Sequence, residues 1–291
     1  MIKEKELKGC MYVSYHQPFY IVKDPQYFPV QAGKAAGLHD LDCTGDNSGI
    51  NISSQNFLYS ELTVLYWVWK NRPKTDFVGF CHYRRFFDFA NGDKYPVAYR
   101  RYSPNESSLV EKLPRIEYET LLSECDLIIP INVVMPHSLR RNYEKNHYPE
   151  HYSDLRQAVI ALFPDYLPSF DSVLEGTNKL PPYNMLVARW ELFDRYCEFL
   201  FTILFKLHSE IIMPEDSEQR RKFGNMSERL LAVFIHHHHL KVKEFPLLVF
   251  SETARQKGKI VFHTGNWIKT ANFRLKYLLC HLLPSAKTKR Q

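Results

Sequence analysis

The chain contains neither a Walker A loop nor a GxGxxG turn, so a P-loop cradle and a dinucleotide fingerprint both have little support. It has no GxSxG elbow either, which weakens a serine hydrolase reading. No CxxC pair occurs among its six scattered cysteines, Cys10, Cys43, Cys81, Cys125, Cys197 and Cys280. With Cys81 in a predicted core strand and Cys197 in a predicted helix, they read as reduced thiols of a cytoplasmic protein. No uninterrupted apolar run reaches the roughly 18 residues that a bilayer span needs. The nearest candidate, Phe199–Leu207, is short and carries Lys206. The start, MIKEKELKG, lacks the apolar stretch of a signal peptide. Acidic residues are missing from Arg255 to Gln291, where nine Lys and Arg fall. Subtracting those nine from the net +6 leaves −3 for the rest, so the basicity belongs to the tail.

What is present suits a sizeable core. With 291 residues, 45% of them hydrophobic and 14% aromatic, the chain predicts one large domain, or one domain with an appendage. The boundaries read as 1–250 for the domain and 251–291 for the extension. No internal repeat or low-complexity segment interrupts it.

The stretch Thr75–Asp88, TDFVGFCHYRRFFD, carries the sharpest signal. Phe77–Cys81 reads as a buried strand that ends in His82, Tyr83, Arg84 and Arg85. Ligands bind at the carboxyl ends of strands in open α/β sheets, and paired arginines there suit an anionic, phosphate-bearing ligand. The competing reading pairs both arginines with carboxylates at the strand rim.

Other segments fall in order around it. KGCMYVSYH predicts a first strand ending in Ser14, Tyr15 and His16. Gly33–Gly49 predicts a turn-rich loop, with Asp46 and Asn47 presenting polar groups. Leu58, Leu62, Leu65, Tyr66 and Trp69 share one helical face. Ala90–Pro114 lacks periodicity and reads as a long excursion that could act as a lid near the site. Asp126–Pro130 and Tyr183–Ala188 read as further core strands, and Trp190–His208 as a long amphipathic helix. Phe223–Met226 reads as a loop, Ser227 as the cap of a helix Glu228–His239, and Lys243–Phe250 as a last strand. Strands separated by helices place the chain in the α/β class, with a mostly parallel sheet flanked by helices.

Three clusters invite chemistry. His147, His151 and Asp154 are metal-ligand residue types, but Pro149 between the histidines argues against one helix carrying both, so lining of a substrate cleft is favoured. A metal-dependent hydrolase built on these three is the rival reading. The run His236–His239 reads as a partly packed helix end, since consecutive helical residues point apart. Glu228, placed in the first turn of its helix, suits a general base or a capping charge. The tail, rich in Trp, Tyr and Leu between its cations, reads as a basic amphipathic segment for an anionic membrane surface, ahead of nucleic acid. A non-catalytic binding module is therefore another alternative.

The order GDNxGxNIS, YxELTxLYWxWKN and DFVGFCHYRRFF resembles a bacterial family of glycosyltransferases from capsular and exopolysaccharide gene clusters, long carried as a domain of unknown function. Asp126–Pro130, His147-Tyr148, Asp154-Leu155, Tyr183-Asn184-Met185, Glu191–Asp194 and Ser227–Leu230 continue the match over roughly residues 10 to 245. The resemblance implies a GT-A-like, Rossmann-related fold and sugar transfer from a nucleotide-sugar donor. UDP-galactofuranose is the first donor expected, then UDP-galactopyranose or UDP-glucose. The acceptor implied is a growing surface polysaccharide, and the acid-free tail suits docking at the inner face of the cell membrane, where a polyprenyl-diphosphate-linked acceptor would be found.

In that frame Ser14, Tyr15, His16, Asp46, Asn47, His82, Tyr83, Arg84, Arg85 and Asn184 are expected at the donor. His147 and His151 are expected at the acceptor, with Glu228 as catalytic base and Asp154 as second choice. Where the family often has a second acid in its GDN loop this chain has Ile50, leaving Asp46 to serve alone. Arginines stand where many GT-A folds carry Asp-x-Asp, so transfer is expected without an essential metal or other cofactor.

Overall fold

A computed structural model describes residues 8–37, 39–91, 97–112, 117–210, 221–251 and 259–262. Eleven strands make one mixed sheet. Its main wing runs, in spatial order, β3 (Thr44–Gly45), β2 (Tyr27–Gln31), β1 (Gly9–Tyr15), β4 (Phe77–His82), β10 (Leu186–Arg189), β7 (Leu127–Pro130) and β11 (Val242–Phe245). A second wing holds β5 (Arg85–Phe87), β12 (Leu247–Phe250), β6 (Val97–Tyr102) and β13 (Lys259–Phe262). The wings meet at a single residue pair, His82 opposite Arg85. Tyr83 and Arg84 make the turn between them. A separate small pair joins β8 (Val133–Val134) to β9 (Lys179–Leu180).

The longest ladders, β1 with β4 and β1 with β2, are parallel. Strand β10 enters antiparallel between β4 and β7. Side chains alternate between two cores, as the pleat requires. Tyr12, Val78, Phe80, Leu186 and Ala188 face one core, and Met11, Val13, Phe77, Cys81 and Val187 face the other. Helices α2 (Leu62–Asn71), α5 (Glu150–Leu162), α6 (Leu167–Gly176), α7 (Trp190–Glu210) and α8 (Lys222–His237) cover the first. Helix α3 (Tyr118–Glu124) and the second wing cover the other. Burial on both faces is why β4 reads as an unbroken apolar run. Gly79 is the tight spot within it, since a Cβ there would lie 2.0 Å from Met11 Sδ.

The structure departs from the sequence reading in four places that matter. The helix read through Leu58 and Trp69 is two pieces, α1 (Asn56–Tyr59) and α2, broken at Ser60 with φ 50°. Asn56 makes the break, its Nδ2 donating to the Ser60 carbonyl at 2.7 Å. Helix α8 starts at Lys222 and runs straight through the Gly224-Asn225 segment expected to be a loop. The Ala90–Pro114 excursion has regular structure where described, holding β6 and a 3-10 segment, Pro104–Lys112. The run Lys243–Phe250 splits at Pro246, which cannot donate to a ladder, and its halves join different wings.

As expected from Pro149, no one helix carries both His147 and His151: α4 (Leu139–Asn146) ends before the proline and α5 starts after it. The histidine run ends α8, with His237 stacked 3.6 Å from Tyr166 and His238 Nε2 2.7 Å from the Tyr166 hydroxyl. No helix among the described residues is long and apolar enough to cross a membrane. The sheet takes its strand β13 from beyond residue 250. Residues 263–291, which carry most of the basic segment, lie outside the described residues.

Candidate active site

The carboxyl ends of the parallel strands β1 and β4 open into a cavity of about 800 Å³. Ser14 and His16 reach it from β1, and His82, Tyr83, Arg84 and Arg85 from the turn that joins the two wings. The opposite wall comes from the α1–α2 break (Asn56, Phe57, Ser60, Glu61) and the start of α8 (Arg221, Gly224, Asn225, Glu228). Asn146, His147 and Tyr183 complete the rim.

The guanidinium of Arg84 lies 5.0 Å from the Tyr83 ring and 5.4 Å from the Phe19 ring. That of Arg85 lies 4.3 Å over the Tyr183 ring. Among the described residues neither arginine pairs with a carboxylate, and Arg84 Nε is buried without a partner. Stacking on aromatic faces orients a guanidinium while leaving its N–H groups available. Arg221 adds a third cation, its Nε donating to Ser60 Oγ at 3.2 Å.

The imidazoles register the resulting field. Burial first, then His82 and Arg221, push His16 down to about 4, so it stays neutral. Burial also lowers His82, whose Nε2–H donates to the Tyr183 carbonyl at 2.6 Å.

Two carboxylates face these cations. Glu61 accepts a hydrogen bond from Asn184 Nδ2 at 2.7 Å. Glu228 Oε1 accepts from the Tyr183 N–H at 2.6 Å. Burial raises Glu228 to about 7 and the Glu61 charge adds to this, against the opposing pull of the Tyr183 N–H, Arg229 and Arg221. A carboxylate poised near neutrality at a cavity wall is suited to accept a proton. Helix N-terminal amides do not hold it, because α8 begins six residues earlier, at Lys222. Ser227, expected as the cap, instead sits inside α8, its hydroxyl shared between Asn184 Oδ1 and the Gly224 carbonyl, each at 2.7 Å.

Non-glycine residues with positive φ concentrate here. Ser60 (50°), Tyr183 (71°) and Asn184 (52°) line or back the cavity, leaving only His239 (51°) elsewhere among the described residues. Such backbone costs about 1–2 kcal/mol per residue and persists where surrounding contacts over-determine it.

The expected site residues divide. Ser14, His16, His82, Tyr83, Arg84, Arg85, His147 and Glu228 converge on the cavity. Tyr15 does not: it points into the opposite core, where its hydroxyl donates to the Tyr20 carbonyl and accepts from the Val22 N–H, both at 3.1 Å. Asp46 is fully buried and spent on its own loop, accepting from the N–H groups of Gly33 (2.9 Å) and Lys34 (3.1 Å) and from the Ser53 hydroxyl. Asn47 is exposed and lies off the cavity wall. Asn184 stands one layer back, bracing Glu61. His151 and Asp154 on α5 also fall outside the lining; His151 is buried, and the Asp154 charge acts on Lys222.

Glu61, Arg221 and Tyr183 were not singled out as site residues from sequence. Glu61 and Tyr183 lie inside quoted motifs, ELTVLYW and YNM, so a signal existed. Arg221 had none.

A divalent cation, which the GT-A resemblance brings to this strand end, does not fit the side chains found there. His82 is turned to a backbone carbonyl, and a tyrosine and two guanidiniums follow it. Among the described residues no three His, Cys, Asp or Glu side chains are grouped to hold an ion, the His147, His151 and Asp154 set included.

The profile of a family described as a domain of unknown function, DUF4422, matches residues 10–239. Among solved structures, the apo structure of the bifunctional glycosyltransferase WbbM is similar, with a TM-score of 0.76 and 27% sequence identity. The similarity covers 87% of this chain and 46% of that one, so this chain spans just under half of its length. No curated protein matches. The fold is therefore the GT-A-like α/β architecture of that neighbour, and the family match encloses every residue named above as lining the cavity.

Proposed function

The chain belongs to the DUF4422 family, and we propose that it is a glycosyltransferase that moves a sugar from a UDP-sugar to a surface glycan. The observation that carries this reading is that Arg84 and Arg85, whose guanidiniums meet no carboxylate among the described residues, share one cavity at the strand ends with the Glu228 carboxyl, raised to about 7. The cationic side suits a leaving diphosphate and the carboxylate suits an acceptor hydroxyl.

In the proposed step the acceptor oxygen attacks the anomeric carbon of the donor. The new glycosidic bond forms as the bond from that carbon to the diphosphate oxygen breaks, and the electron pair leaves with UDP. The acceptor proton passes to Glu228. Direct displacement inverts the anomeric centre. Arg84 and Arg85, with Arg221 alongside, balance the charge that grows on the diphosphate in place of a metal ion. Ser14 and His16 hold the nucleotide side, and His147 the acceptor side. Galactofuranose is the sugar we favour, followed by galactose and glucose.

We place the reaction at the cytoplasmic face of the cell membrane, on a polyprenyl-diphosphate-linked glycan. The support is the acid-free basic segment Arg255–Gln291, suited to an anionic surface. Nucleic acid is not among the partners proposed.

A thermal-shift titration of the full chain against UDP, GDP and CMP, repeated in EDTA, tests the reading. UDP should stabilise the chain and should do so with EDTA present. Failure of every nucleotide, or a UDP response that appears only with Mn²⁺ or Mg²⁺, would overturn it.

A further inference from the structure

Tyr183 touches both sides of the cavity through three different groups. Its ring lies under the Arg85 guanidinium, 4.3 Å away. Its carbonyl accepts the His82 Nε2–H at 2.6 Å. Its N–H donates to Glu228 Oε1, also at 2.6 Å. The carbonyl and the N–H belong to successive peptide planes, and the torsions of Tyr183 alone fix one plane relative to the other. With φ at 71°, one plane reaches the β4 strand end while the other reaches α8. An ordinary residue would leave this region of backbone for a negative φ and surrender at least one of the two bonds.

Neighbours hold the conformation in place. Pro181 and Pro182 restrict the chain entering it. Asn184, itself at φ 52°, is tied by its side chain to Glu61, the Gly224 carbonyl and Ser227. Strain that is over-determined in this way is the kind that marks positioning devices rather than accidents of packing.

We propose that Tyr183 is a positioning residue that ties the diphosphate clamp to the base, so that a nucleoside diphosphate seated on Arg85 fixes the aim of Glu228. The inference rests on the transfer reading above. It makes donor occupancy and base alignment one event. The groups facing Glu228 are Arg221 just before its helix, Arg229 on it, Glu61 at the α1–α2 break and Tyr196 on α7. None of the four belongs to residue 183, so a shift in the titration of the base on changing that residue alone is read against the loss of the Tyr183 N–H bond.

Three variants of the full chain separate ring from backbone, assayed for transfer from a UDP-sugar across pH 5 to 9. Tyr183→Phe keeps the ring and the backbone and removes only the hydroxyl, so its donor KM and acid limb are the reference for the other two. Tyr183→Asn keeps tolerance of positive φ but loses the ring; donor KM should rise about tenfold with the acid limb of the kcat profile unmoved. Tyr183→Val opposes positive φ through its branched Cβ, and losing the N–H bond should move that limb up by about half a pH unit or more.

A donor KM unchanged in Tyr183→Asn, or an acid limb unmoved in a folded Tyr183→Val, overturns the proposal while the wild type remains active. If Tyr183→Val does not fold, the Phe and Asn pair still decides the coupling to the clamp. A wild-type chain that neither binds UDP nor transfers sugar defeats the underlying reading instead, and this inference falls with it.

Discussion

Asp46, just after β3, accepts three hydrogen bonds from its own loop and has no exposed surface. Arg84 and Arg85, just after β4 in the same wing, stack on aromatic rings and meet no carboxylate among the described residues. In sequence the two clusters look alike: polar groups at a strand end, each inside a family-like motif. In the structure one is consumed in building the backbone of the fold and the other is held out toward a cavity. A buried polar group that is fully satisfied has nothing left to offer a ligand, whereas an oriented cation without a counter-charge does. Hydrogen-bond accounting, not residue type, separates architecture from chemistry here.

The largest effect should come from the partner the arginines face. Glu228→Gln removes the proposed proton acceptor and should cut transfer about a thousandfold while UDP affinity holds. An active variant would reject the assignment. In the wild type, transfer should decline as pH falls below about 7, where Glu228 takes up a proton. Its ordinary value is 4.5, so the folded chain binds this proton more tightly than the unfolded one. That contribution to stability is complete below about 4.5 and is lost as pH rises through about 7. Chemical denaturation at pH 8 should therefore find Glu228→Gln more stable than the wild type by about 1–3 kcal/mol.

Next come the arginines themselves. Arg84→Gln and Arg85→Gln should each weaken UDP binding by about 10- to 100-fold, read by calorimetry, with no fall in melting temperature. A stability loss without a binding loss would return them to the role of strand-end braces. The smallest effect on binding is expected from the other cluster. Asp46→Asn should lose about 1–3 kcal/mol of stability, as a charge-assisted network loses its acceptor. The folded protein should still bind UDP within about twofold of the wild type; a larger change would erase the contrast between the loops.

Much of this architecture was readable without coordinates. Phe77–Cys81 is apolar throughout because both faces of β4 are covered, and a run of that kind bounded by polar residues reads as a strand whatever surrounds it. The separation of His147 from His151 onto either side of a helix boundary at Pro149 follows from a missing donor. Misreadings arose where a side chain overruled local pattern. Asn56 caps the Ser60 carbonyl and breaks an otherwise continuous stripe, which turns Glu61 toward the cavity. Gly224 and Asn225 look like a loop, yet the helix runs through them because Phe223 and Met226 are anchored in the core on either side. Tyr15 was grouped with Ser14 and His16, but alternation along a strand sends it to the opposite face.

The α/β class, the buried strands, the cationic strand end and the resemblance to a family are legible in the residues because they depend on periodicity and on motifs written in contiguous stretches. Which polar groups share one space depends on packing between distant elements. Glu228 meets Tyr183, and Asn184 meets Glu61, across 45 and 123 positions of chain. Partners at such separations are chosen by how helices dock on a sheet, and that docking settles whether a carboxylate is spent on its own loop, as at Asp46, or kept near neutrality beside a cavity, as at Glu228.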